Sequence, residues 1–207
     1  MDLRDVQAVL LDMDGTLVDS DAAVERAWMV WAGEHEVDPA EALAIAHGSP
    51  AASTVRRLLP DLDDAAVETS AARQLALQYD DLADVGALAG AHELVTTMER
   101  LELKWAVVTS ADVRLATARL NAAGLHAPIV VTSEDVTAGK PDPQGFLEAC
   151  GKLGVRPSRC LVVEDSEPGV AAGRASGAMV AALKGLSGDV VLVDLHQLAE
   201  LLEQSRR

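Results

Sequence analysis

Aromatic residues are nearly absent from this chain: three tryptophans, one tyrosine and one phenylalanine make up 2% of 207 residues. Hydrophobic residues still reach 49%, so alanine, leucine and valine must fill the interior, which favours helices and buried strands over an aromatic binding platform. Basic residues are also scarce, 17 against 33 acidic ones, for a net charge of −16. Such a surface repels polyanions, so nucleic acid is not expected as a partner. A small phosphate remains compatible with it, because one metal ion and one lysine can reverse the sign of a pocket locally. Only two cysteines occur, Cys150 and Cys160, in stretches that read as helix and strand. A disulfide framework has no support, and buried thiols in a reducing cytoplasm are expected. No run of about 18 apolar residues exists and MDLRDVQAV at the start is acidic, so a soluble cytoplasmic protein with no membrane contact is expected.

The length suits one core domain with a sizeable insertion. QAVLLD, residues 7–12, is a short apolar run with charged boundaries and suits a buried parallel strand. The pattern then changes. DSDAAVERAWMVWAGEHE places Val24, Ala27, Trp28 and Trp31 on one helical face. Further helical stretches follow in PAEALAIAH, PAASTVRRLL and DDAAVETSAARQLALQYDDL, with Pro39, Pro50 and Pro60 at starts or breaks. Nothing between residues 19 and 84 reads as strand. Alternation returns afterwards, with strands expected at 105–110, 128–133, 160–165 and 178–183 and in DVVLVD, and helices at 91–101, 112–123, 143–153 and 167–176. The fold class expected is α/β: a Rossmann-like parallel-sheet core, residues 1–18 and 86–207, carrying an inserted all-helical cap domain, residues 19–85.

In an open parallel sheet ligands bind at the carboxyl ends of strands, so the residues ending each apolar run matter most. The first run ends in Asp12-Met13-Asp14-Gly15-Thr16, another in Thr109-Ser110, and CLVV in Glu164-Asp165, while the loop after PIVVTS carries Gly139-Lys140-Pro141-Asp142. Two aspartates at spacing two cost energy unless a cation or a shared proton offsets them. Acids, a hydroxyl and a lysine together fit phosphoryl transfer, which needs a nucleophile, a proton donor and positive charge for the phosphoryl oxygens. Asp12 is a candidate nucleophile and Asp14 a candidate general acid and base. Ser110 and the neighbouring backbone N–H groups of Thr109 and Ala111 are candidates to hold phosphate oxygens, with Lys140 as fixed charge. Gly15 and Gly139 are expected to let the backbone approach closely. Mg²⁺, a hard cation bound through oxygen, is the cofactor expected.

DMDGT, VVTS, GKPDP and VVEDSEPGV, in this order and on these elements, resemble the four signature motifs of the haloacid dehalogenase-like superfamily, and the insertion resembles the helical cap of its β-phosphoglucomutase-like and sugar phosphatase branch. The resemblance covers nearly the whole chain. It implies Asp12 as nucleophile and Asp14 as general acid and base. The implied Mg²⁺ ligands are the Asp12 side chain, the Asp14 backbone carbonyl and Asp165, with Glu164 ligating or acting through water. His47 and Gly48 occupy the cap loop that in the family reads the leaving group, and an ordinary helix end is the competing reading of these two.

The resemblance also ranks activities. Asp14 argues against a dehalogenase, which needs no proton donor for halide. Val24 stands where the mutases carry a histidine, and Ala51 where they carry an arginine for the distal phosphate. A phosphatase of small sugar or polyol phosphates, working through an aspartyl-phosphate, therefore leads, with a β-phosphoglucomutase-like mutase as alternative. A phospho-accepting signalling switch is the non-enzyme alternative, disfavoured by the hydroxyl pair ending VVTS. A calcium-binding loop is weaker still, because the glycine of DMDGTLVDSD falls at loop position four. Trp28 and Trp31 are expected in the cap interior, Arg56 and Arg57 in water, and His35, His92, His126 and His196 away from any chemistry. The partner expected is a small phosphorylated metabolite, and the protein a monomer or small homo-oligomer.

Overall fold

The computed structural model describes residues 3–46 and 49–206. Strands β1 (Ala8–Leu11), β4 (Lys104–Val108), β5 (Val130–Val131), β6 (Cys160–Glu164), β7 (Met179–Ala182) and β8 (Val190–Val191) form one parallel sheet in the order β5-β4-β1-β6-β7-β8. β1 lies at its centre, flanked by β4 and β6. Alternation of side chains across the pleat divides the core in two. Val9, Leu11, Val107 and Val163 face one side, under α5 (Ala91–Arg100), α6 (Val113–Ala122) and α9 (Leu195–Ser205). Leu10, Ala106, Val108 and Val162 face the other, under α7 (Gln144–Leu153) and α8 (Glu167–Ser176). Burial on both faces explains why these strands read as unbroken apolar runs.

The expected helices of this half are present, while the outer strands are shorter than expected. β5 covers two residues of the stretch 128–133, and β8 two of DVVLVD. Both sit at edges and pair on one side only, so fewer ladder bonds hold them extended. The cysteines are free thiols on α7 and β6, as expected, and their sulfurs lie 3.5 Å apart in the core.

Between β1 and α5 lie four helices, α1 (Asp21–Glu34), α2 (Pro39–Ala46), α3 (Ala51–Leu58) and α4 (Asp64–Ala76), with an apolar centre of their own around Trp31, Val55 and Val67. Pro39 opens α2, Pro50 precedes α3, and the Asp63 carboxylate accepts from the Ala66 N–H at the start of α4. Trp31 is fully buried, donating its indole N–H to the Ser70 hydroxyl at 2.9 Å. One feature was not expected: β2 (Val18–Asp19) and β3 (Gly86–Ala87) pair antiparallel where the chain leaves for these helices and returns.

Candidate active site

Asp12 follows the last residue of β1, and its N–H donates to Val163 O of β6, so pairing within the sheet fixes where its carboxylate begins. Beyond it the chain turns tightly, with the Leu17 and Val18 N–H groups both donating to Met13 O at 2.9 Å. Gly15 takes φ +77 there, and a Cβ on it would stand 2.1 Å from Asp165 Oδ2. The turn therefore needs glycine twice over, for its backbone and for the approach of Asp165. Gly139 also allows a close approach, as expected. A Cβ there would meet Pro50 Cγ at 2.6 Å, so this glycine lets the entrance of α3 settle on the loop that carries Lys140.

β1 and β6 being neighbours, their tips bring Asp12, Glu164 and Asp165 together, with carboxylate oxygens within 4.8 Å of one another. Lys140 enters from the loop before α7. Its ammonium bonds Asp12 Oδ1, pairs with Glu164 Oε1 at 2.6 Å and donates to Val108 O at 3.1 Å. Burial alone would depress this lysine, yet Asp12 and Glu164 outweigh it and hold the ammonium above its ordinary range. Burial raises the Asp12 carboxyl, opposed by Lys140 and reinforced by Glu164 and Asp165. Asp165 is raised by burial too, with Lys184 opposing. Lys184 bonds both Asp165 Oδ2 and Asp21 Oδ2 at 2.9 Å. Glu164 is fully buried, and its Oε2 accepts from the Asp165 and Ser166 N–H groups and the Ser166 hydroxyl.

Asp14 lines the same cavity as Asp12 and Asp165. Its Oδ1 accepts from the Ser20 hydroxyl and its Oδ2 pairs with Arg119, both at 2.7 Å. Thr109, Ser110 and Ala111, at the end of β4, complete the core side of the cavity. Thr109 Oγ1 accepts from the Ala111 N–H at 3.1 Å, so that N–H, expected to meet phosphate, is engaged within the turn. Ser110 is half-buried and lines the cavity. His47 and Gly48 lie outside the described residues.

The helical segment supplies the opposite wall, including Val24, Trp28, Ala51, Gln74 and Gln78. Trp28 thus belongs both to the interior of these helices and to the cavity. Arg56 and Arg57 are exposed, as expected, and none of His35, His92, His126 and His196 lines the cavity. The cavity or near-cavity residues not anticipated include Ser20, Gln74, Gln78, Arg119 and Lys184. Lys184 directly follows the apolar run of β7, so the strand-end rule that singled out Asp12 reaches it as well. Arg119 shares a helical face with Leu115 and Ala116, and a charge on an apolar face was its only signal.

An all-oxygen set of three clustered carboxylates, partly offset by two lysines, is the donor chemistry of a hard divalent cation such as Mg²⁺.

Comparison with known proteins shows what the chain is similar to. The family model described as haloacid dehalogenase-like hydrolase matches residues 6–177. Hexitol phosphatase A of Escherichia coli is 38% identical over 196 residues, 94% of this chain and 91% of the relative. 2-Deoxyglucose-6-phosphate phosphatase 1 of Saccharomyces cerevisiae is 32% identical, over 89% of this chain and 82% of its own length. The crystal structure of a hydrolase from Pseudomonas syringae superposes with a TM-score of 0.87 at 27% identity, covering 96% of this chain and 98% of the other.

Proposed function

The chain belongs to the haloacid dehalogenase-like hydrolase family, and from that premise we propose that it is a Mg²⁺-dependent phosphatase of small sugar or polyol phosphates, working through an aspartyl-phosphate on Asp12. The observation that carries this reading is the placement of Asp12 at the central strand tip, beside Asp165, Glu164 and Lys140, with Asp14 in the same cavity. The names of the phosphatase relatives support the substrate class.

Lys140 holds Oδ1 of Asp12, leaving the other oxygen to attack phosphorus. The P–O bond to the leaving group breaks, and its electron pair takes a proton from Asp14. Asp14 then removes a proton from water as that water attacks the phosphoryl group, the Asp12–phosphorus bond breaks, and inorganic phosphate leaves. Asp14 accepts from the Ser20 hydroxyl and pairs with Arg119, and the ion pair weakens when Asp14 carries the proton. Ser110 and Lys140 hold phosphoryl oxygens. Asp12, the Asp14 carbonyl and Asp165 would bind Mg²⁺, while Glu164, committed to Ser166 and Lys140, acts through them or through water. When bound, the ion offsets carboxylate repulsion and neutralises phosphoryl charge. Residues 19–85 serve as a cap over the core, excluding bulk water around the reacting groups. Among the residues lining the cavity, Val24 and Ala51 are apolar and Arg119 is already paired with Asp14, which leaves little to hold a second phosphate and disfavours a mutase.

Phosphate release from hexitol 6-phosphates and 2-deoxyglucose 6-phosphate, measured with Mg²⁺ and with EDTA, tests the proposal. We expect turnover that chelation abolishes and that Asp12→Asn lowers by at least about 10⁴-fold. Metal-independent release, or full activity in Asp12→Asn, would defeat it.

A further inference from the structure

The wall of the cavity contains a relay of hydrogen bonds whose direction is dictated by chemistry. Arg119 is 2% exposed and can only donate. It forms an ion pair with Asp14 and gives an N–H to Gln78. Gln78 must therefore present its oxygen to Arg119, which turns its own NH₂ toward Gln74, where it donates to Oε1 at 2.9 Å. Gln74, on α4 and 1% exposed, thus has its oxygen turned to Gln78 and keeps an NH₂ with no partner. Arg119 Nε is likewise buried without a partner.

An unmatched buried donor costs about 1–3 kcal/mol, and here two occur on one cavity wall. Gln74 lines the cavity, so a ligand there that supplies an oxygen acceptor to its amide would relieve that donor. A carboxylate or second phosphate is a poor candidate, because Asp12, Asp14, Asp21 and Asp165 line this cavity and the guanidinium charge is spent on Asp14. Uncharged hydroxyl oxygens fit instead.

Resting on the phosphatase reading above, we infer that Gln74, positioned by Gln78 and Arg119, is a specificity-determining residue that donates to hydroxyls of an uncharged polyhydroxylated leaving group. A site built to hydrogen-bond a hydroxyl discriminates strongly against an analogue lacking it.

The test compares kcat/KM for hexitol 6-phosphate with that for n-hexyl phosphate, equal in carbon number and without hydroxyls, and with that for 6-phosphogluconate, which adds a carboxylate. The unaltered protein is expected to favour the hexitol ester over either by at least about 100-fold. Gln74→Leu is expected to lower the hexitol-to-hexyl ratio at least about tenfold. Gln74→Met, which keeps the chain length, replaces it where the leucine variant fails to fold. A preference below about tenfold in the unaltered protein, or a ratio within about twofold of it in the variants, overturns the inference. Asp12-dependent hydrolysis of hexyl phosphate would then still stand as phosphatase activity. Absence of hydrolysis of any ester defeats both readings.

Discussion

On the floor of the cavity, at the tips of β1 and β6, the buried polar groups are charged and matched: Lys140 answers Asp12 and Glu164, and Lys184 answers Asp165. On the wall, the neutral amides of Gln78 and Gln74 lead away from one buried guanidinium, Arg119, joined in one direction and ending in a donor with no acceptor. Unpaired charges on a buried floor would unfold the site, so its charges must be balanced before any substrate arrives. An unmatched amide is tolerable, and a substrate can satisfy it. Reaction and selection are thus assigned to different kinds of polar group.

Removing one charge from each region puts that contrast under the greatest strain. Lys140→Met leaves Asp12 and Glu164 buried without their shared cation, with an expected loss of about 3–5 kcal/mol in unfolding free energy. Arg119→Met removes a cation from Asp14, which keeps the Ser20 hydroxyl and has a side chain 27% exposed, so the loss expected is about 1–2 kcal/mol. Urea titrations of both variants decide the matter. Equal losses would erase the distinction between floor and wall.

The two regions also differ in how openly the sequence declares them. A parallel strand buried on both faces is a continuous apolar run, and its end is marked by the switch to polar residues. Asp12, Thr109 and Glu164 are therefore legible in the sequence as one set, because adjacent runs must end side by side. The helices could be placed from period and caps in the same way. The wall has no such mark. Gln74 and Gln78 are ordinary polar residues at helical spacing, and only the approach of the turn after α4 to Arg119 makes Gln78 its buried partner and Gln74 the next in line. The β2–β3 ribbon is two residues deep and too short to show a period. Lys184 follows β7, but one lysine after a strand is also what an exposed turn looks like.

A smaller effect is expected at the brace between the helical segment and the core. The Tyr79 hydroxyl donates to Asp112, whose other oxygen caps α6 through the Leu115 N–H, and Arg114 lies 4.0 Å from the centre of the Tyr79 ring. Tyr79→Phe removes the hydrogen bond and keeps the ring. A loss of about 1 kcal/mol is expected, lowering the melting temperature by about 2–4 °C. If the wall works independently of this brace, the hexitol-to-hexyl selectivity should move by less than about threefold. A larger change would mean that selection depends on how the helices are held, and not on Gln74 alone.

The smallest effect concerns the loop that leads to Lys140. Asp135 accepts from the Thr132 N–H at 2.9 Å and pairs with Lys152, and these contacts, the Thr132 N–H foremost, pull its carboxyl down to about 2. The unfolded value is about 3.9. A carboxyl depressed by folding adds stability above its unfolded value and loses it as the pH falls toward its folded one. Discounted for solvent at a side chain 32% exposed, the contribution at neutral pH is about 1 kcal/mol. Asparagine resembles the protonated carboxyl, so Asp135→Asn should be less stable than the unaltered protein by that amount at about pH 6, with half the gap gone near about pH 3. Urea midpoints of the two proteins across this range measure the gap directly. A gap that stays constant with pH would mean that the Asp135 charge contributes nothing and that the loop is held by neutral contacts, like those between Gln74 and Gln78 on the wall.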